Sequence, residues 1–122
     1  MPNTMQDARP ARPFAINTGL GEWDATIIAV SGELDLASAD QLDEAIRDAE
    51  ESATTRWIVV DLEDLSFLDS TGLSVLLEAR RRASDDDNRL RFVRSRHDQV
   101  TRLLSLTETS DQLFPSGSGA GE

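Results

Sequence analysis

Few side chains in this sequence can do chemistry, and most of those that can are carboxylates and hydroxyls. The densest grouping is Asp69-Ser70-Thr71, an acid and two hydroxyls in a row, followed by Gly72. Hydroxyl nucleophiles in hydrolytic enzymes need a base to take their proton, and the only imidazole is His97. His97 stands beside Asp98 near the start of a predicted helix, where a surface or capping role accounts for it. No nucleophile can be matched to it from sequence. Asp61, at the end of an apolar run, has the position of a receiver-domain phosphoacceptor, but that chemistry also requires a lysine. The chain has none: all 12 cationic residues are Arg. Without Lys there is no Walker-type phosphate loop, no Schiff base and no kinase strand lysine. Without Cys there are no disulfides, thiolate nucleophiles or Cys-bearing zinc sites. Asp85-Asp86-Asp87-Asn88 is a poor calcium loop, since Leu90 and Arg96 occupy its sixth and twelfth places instead of Gly and Glu. It reads as a solvated turn.

Charge narrows the partners further. There are 23 Asp and Glu against 12 Arg, a net charge of −11, which opposes direct contact with nucleic acid. Residues 1–13 hold Pro2, Pro10 and Pro13 and no apolar run, so they lack a secretory signal. No stretch approaches the ~20 apolar residues of a membrane span. The expectation is a small, acidic, cytoplasmic globular protein, without turnover or cofactor.

The elements that must position Asp69 to Gly72 are legible in the surrounding pattern. Residues 1–13 read as a flexible arm, 14–114 as one folded domain, and 115–122, rich in Gly and Ser, as a flexible tail. Phe14 to Asn17 reads as a short strand ended by Gly19 and Gly21. Thr26 to Val30 reads as a second strand, ended by Ser31-Gly32. Ser38, with Gln41 completing a capping box, opens a helix whose apolar face is Ala39, Leu42, Ala45, Ile46 and Ala49.

Trp57 to Val60 is an unbroken apolar run, the mark of a strand covered on both faces. Asp61 to Asp69 reads as a loop. A second helix then carries Leu73, Leu76, Leu77 and Ala83, with Arg80, Arg81 and Arg82 as a solvated last turn complementing the helix dipole. Leu90 to Val93 is a fourth strand, and Val100, Leu103 and Leu104 mark a third helix. Trp23 and Trp57 are expected to pack in the core or at an edge. The alternation makes an α/β layered domain with a mixed, mostly parallel sheet of four to five strands and helices packed on it. In that frame Asp69, Ser70 or Thr71 must cap the second helix.

The string Leu62 to Leu73, ending Phe67-Leu68-Asp69-Ser70-Thr71-Gly72-Leu73, closely resembles the signature of the STAS domain family, the bacterial anti-anti-sigma factors. Gly32-Glu33-Leu34-Asp35 followed by Ser38-Ala39 is similar to that family's loop after its second strand. Val100 to Leu106 resembles its last helix. The resemblance implies a STAS fold and a binding protein without catalysis of its own. The unmodified domain would bind an anti-sigma factor with serine kinase activity and so release a sigma factor for transcription. That kinase would phosphorylate Ser70, and a metal-dependent serine phosphatase would reverse it. Asp35, Ser38, Asp69, Ser70, Thr71, Gly72 and Leu73 would form the partner-binding site, with Gly72 letting a partner backbone approach the helix start. The alternative is a STAS module regulating a transporter or another signalling complex. Ser70 favours the first, because a scaffold needs no hydroxyl there.

Overall fold

The computed structural model describes residues 13–114. The expected arm, Pro13 apart, and the expected tail lie outside the described residues. Strand β1 spans Ala15–Leu20, β2 Ala25–Leu34, helix α1 Ala39–Glu51, β3 Trp57–Leu68 and α2 Ser70–Ser84. Strand β4 spans Leu90–Val93, helix α3 Asp98–Leu106 and the short α4 Ser110–Leu113. The described strands form one sheet in the order β1-β2-β3-β4. β1 pairs antiparallel with β2, while β2 with β3 and β3 with β4 run parallel. This is the mixed, mostly parallel α/β sheet expected.

Period-2 alternation directs Ile28 and Val30 of β2, Ile58 and Val60 of β3, and Leu90 and Phe92 of β4 into a single core. Helical spacing supplies the covering layer: Leu42, Ile46 and Ala49 from α1, and Leu73, Leu76, Ala79 and Ala83 from α2. Val100 and Leu104 of α3 and Leu113 of α4 complete it.

The stretch from Asp61 to Asp69 corrects the sequence reading. It is not a loop: β3 continues to Leu68, and β2 continues beyond Ser31-Gly32 to Leu34. The register jumps from Ala29↔Asp61 to Ser31↔Asp64, and from Gly32↔Leu65 to Glu33↔Phe67. Each jump inserts an extra residue into β3, the signature of a β-bulge. Buried side chains therefore recur as Leu62, Leu65 and Leu68, a spacing of three that hides a strand from period-2 reading. Gly32 (φ 84°) takes the left-handed conformation between the two jumps, where a side chain would be strained.

β4 pairs with β3 only from Ile58 to Asp61, so the far half of β3 would present a bare edge. The segment entering α3 covers it. Arg96 donates its backbone N–H to the Glu63 carbonyl (3.2 Å), and Ser95 Oγ donates to the Leu65 carbonyl (2.8 Å). Gln99 completes the row, its Oε1 accepting from Leu68 N–H (2.9 Å) and its Nε2 donating to the Leu68 carbonyl (3.1 Å). One side-chain amide thus imitates the pairing of a further strand.

Other expectations need correction. Ser38 stands at the start of α1 but makes no side-chain cap, so the capping box with Gln41 does not form. Arg80 and Arg82 are not a solvated end. Arg80 donates to the Leu90 and Leu113 carbonyls and to Asn88 Oδ1, and lies 5.2 Å from the Phe92 ring centre. Burial, and secondarily the nearby Arg91 cation, lower its pKa. Arg82 Nε meets both carboxylate oxygens of Glu50 at 3.1 Å, and only Arg81 extends into solvent, paired with Glu78. Trp23 packs against nothing that buries it. It is 80% exposed in the β1–β2 turn, whereas Trp57 lies half-buried under Arg91 (4.9 Å to the ring centre). Asp85 to Asn88 is a turn, as read.

Candidate functional site

The start of α2 is fixed by Asp69. Its backbone is extended (φ −111°, ψ −176°) and its Oδ1 accepts the Gly72 N–H at 2.9 Å, an N-cap satisfying an amide that the helix leaves without a partner. Of the three candidate caps in the sequence, the aspartate takes the role. Its own N–H donates to the Leu34 carbonyl (3.2 Å), tying the helix start to the end of β2.

Gly72 makes that tie close. A Cβ added there would lie 2.7 Å from Leu34 Cγ, 2.8 Å from the Leu34 carbonyl oxygen and 2.9 Å from Leu68 Cδ1. The space the glycine leaves is filled by Leu34 of this same chain, a packing requirement that sequence alone did not reveal. Gly72 and Leu73 are buried, Leu73 only 7% exposed, so both seat the helix. Thr71 is half-buried and Ser70 is exposed. The Ser70 carbonyl accepts from Ser74 Oγ (2.9 Å), which holds the backbone of the first turn without using the Ser70 hydroxyl.

The second group of candidate residues sits beyond Leu34. Ser38, 4% exposed, accepts the Asp35 N–H at its Oγ (3.0 Å) and donates to the Glu33 carbonyl (3.0 Å). Asp35 Oδ1 accepts the Ala37 N–H (3.1 Å), and the Asp35 carbonyl accepts the N–H groups of Ser38 (3.1 Å) and Ala39 (2.8 Å). Asp35 and Ser38 thus build a rigid turn between β2 and α1. The structure brings the two groups together through Leu34, whose backbone oxygen meets both Asp69 N–H and the open side of Gly72.

This end of the molecule is anionic. Between Arg12 and Arg47, and again between Arg56 and Arg80, the sequence holds no cation. Glu33, Asp35, Asp40 and Asp69 therefore meet no nearby cation on their own segments, and the Arg96 guanidinium pairs with Asp64. Chemically the site offers a primary hydroxyl at a helix N-terminus beside a carboxylate, with no base poised to activate it. His97 lies elsewhere, lining an open cavity with Arg96, Asp64 and Ser31. Sequence reasoning missed two residues here. Gln99 gives no signal in sequence, since its role depends on the bulged edge of β3. Leu36 does give one: it is apolar in the polar turn Asp35 to Ser38, and it stands 76% exposed.

No helix among the described residues is long and apolar enough to cross a membrane. The STAS domain family model matches residues 20–118. An anti-sigma-B factor antagonist of Staphylococcus aureus is 31% identical over 84 residues, 69% of this chain and 76% of that protein. The crystal structure of an anti-sigma factor antagonist from Mycobacterium paratuberculosis superposes with a TM-score of 0.70 at 26% identity, covering 84% of each chain. The Bacillus antagonist SpoIIAA shares the fold at lower identity. Its unphosphorylated form gives a TM-score of 0.63 at 21% identity over 77% of this chain and 81% of its own. Its phosphorylated form gives 0.60 at 22% over 76% and 83%.

Proposed function

The chain belongs to the STAS domain family, and from that premise we propose that it is an anti-sigma factor antagonist whose binding is switched by phosphorylation of Ser70. Unmodified, it binds an anti-sigma factor with serine kinase activity in the cytoplasm and frees a sigma factor for transcription. The observation that carries this reading is the contrast at the start of α2: Ser70 is exposed while its neighbours Gly72 and Leu73 are locked inward. A relative and a structural neighbour named as antagonists of anti-sigma factors support this reading, and a neighbour solved in a phosphorylated form supports the switch.

In the modification, Ser70 Oγ attacks the γ-phosphorus of ATP bound to the kinase, ADP departs, and the hydroxyl proton leaves to solvent or a kinase base. A metal-dependent phosphatase returns the serine by hydrolysis. The phosphoserine brings about −1.5 to −2 charges. At a helix N-terminus the dipole and free amides accommodate an anion, so the fold survives. In the complex the same charge is buried without a partner, at a cost of about 2–5 kcal/mol, and binding fails.

Incubating the full chain with purified anti-sigma kinases and ATP, followed by peptide mass spectrometry, tests this. Phosphate is expected on Ser70, absent in Ser70→Ala and retained in Thr71→Ala. Modification that persists in Ser70→Ala refutes the assignment.

A further inference from the structure

Large apolar side chains that stand in water are few among the described residues, and two of them belong to the segments that meet at the start of α2. Leu36 is 76% exposed in the turn after β2, and Phe67, 37% exposed, lies opposite Glu33 in the β2–β3 register. Both adjoin the Leu34 and Leu68 positions on which the helix start is seated. We propose that Leu36 is the apolar anchor of the docking surface, entering an apolar pocket on the anti-sigma factor whose Arg or Lys side chains stand on the far rim, facing Glu33, Asp35 and Asp40 and away from Ser70. This rests on the proposed function and names the chemistry of its partner.

The turn carrying Leu36 is held by the Ser38 and Asp35 hydrogen bonds described above, so little conformational freedom remains to be lost on binding. A leucine held in water on a fixed turn gains by being removed from solvent against an apolar partner surface. The surrounding charge selects the occupant. Glu33, Asp35, Asp40 and Asp69 have no cation interspersed on their segments, so a second copy of this chain would bring acid onto acid. A cationic rim on a different protein would instead pair with Glu33, Asp35 and Asp40, at a remove from Ser70, and speed encounter.

The test is calorimetric titration of a purified anti-sigma factor with wild-type full chain, Leu36→Ala and Leu106→Ala. Leu106, 75% exposed at the end of α3, is the control of equal exposure away from the site. Leu36→Ala is expected to weaken binding by about tenfold or more, and Leu106→Ala by less than about twofold. Melting temperatures should match wild type, because both side chains already face water. Raising salt should weaken wild-type binding, because rim pairs are screened. Wild-type binding with an undiminished Leu36→Ala affinity overturns the anchor alone. So does a wild-type dimer, seen by sedimentation, that Leu36→Ala dissociates. A wild-type chain that binds no anti-sigma factor overturns the proposed function, and the anchor with it.

Discussion

Adding one methyl group at Gly72 probes the contact on which the presentation of Ser70 depends. The new Cβ would meet Leu34 Cγ at 2.7 Å, the Leu34 carbonyl oxygen at 2.8 Å and Leu68 Cδ1 at 2.9 Å. Leu34 is 0% and Leu68 1% exposed, so neither side chain can swing into solvent, and the carbonyl belongs to the backbone that also binds Asp69. Overpacking of this kind costs about 1–3 kcal/mol. Against it stands a helix-propensity gain of up to about 1 kcal/mol for Gly→Ala. The expected net loss is about 1–2 kcal/mol, which at roughly 4–8 °C per kcal/mol for a domain of this size lowers the melting temperature by about 5–15 °C. Gly19→Ala is the control: nothing lies within 4 Å of the added methyl, and the change should stay within about 0.5 kcal/mol. Calorimetric melts of the two variants and wild type decide the matter. A Gly72→Ala protein that melts with wild type would mean that α2 does not rest on Leu34, and the account of how Ser70 is held would fall.

Asp69→Ala removes the cap on Gly72 N–H and should cost about 1 kcal/mol in urea unfolding, whereas Asp69→Asn, also a good N-cap, should recover most of it. Equal losses in both variants would show that the carboxylate acts through charge and not as a cap. Gln99→Ala strips both bonds from Leu68 and should cost about 1–2 kcal/mol, with faster hydrogen exchange at the Leu68 amide. Unchanged exchange there would remove Gln99 from the support of β3.

The elements set by unbroken periodicity were legible in sequence. Leu42, Ile46 and Ala49 fall on the buried face of α1 as their spacing required, and β4 covers Leu90 to Val93 as read. Where local pattern and tertiary structure part company, the sequence misled. Two bulges turn Leu62, Leu65 and Leu68 to the same core at a spacing that no strand template contains, so half of β3 read as loop. Ser38 looked like a cap because capping residues and turn residues are the same types; its hydroxyl serves Asp35 and Glu33 across the turn. Arg80 and Arg82 looked solvated because their partners, Leu113 and Glu50, stand 33 and 32 residues away. At the site itself, Asp69 as a cap candidate followed from residue type, and Ser70 as the proposed phosphorylation site from family resemblance alone. Propensity could not separate Ser70 from Thr71; the folded chain leaves Ser70 exposed and Thr71 half-buried.

A phosphate on Ser70 is expected to abolish binding while leaving the fold intact. Calorimetric titration of the anti-sigma factor with unmodified and stoichiometrically Ser70-phosphorylated chain, each first checked by circular dichroism melting, measures it directly. Melting temperatures should agree within a few degrees, and affinity should fall by roughly 30-fold to several thousand-fold, corresponding to about 2–5 kcal/mol for an unpaired charge buried at contact. High salt should restore little of that loss, because the charge is desolvated in the contact and not acting across solvent. Equal affinity of the two forms, or an unfolded phosphorylated chain, would contradict it.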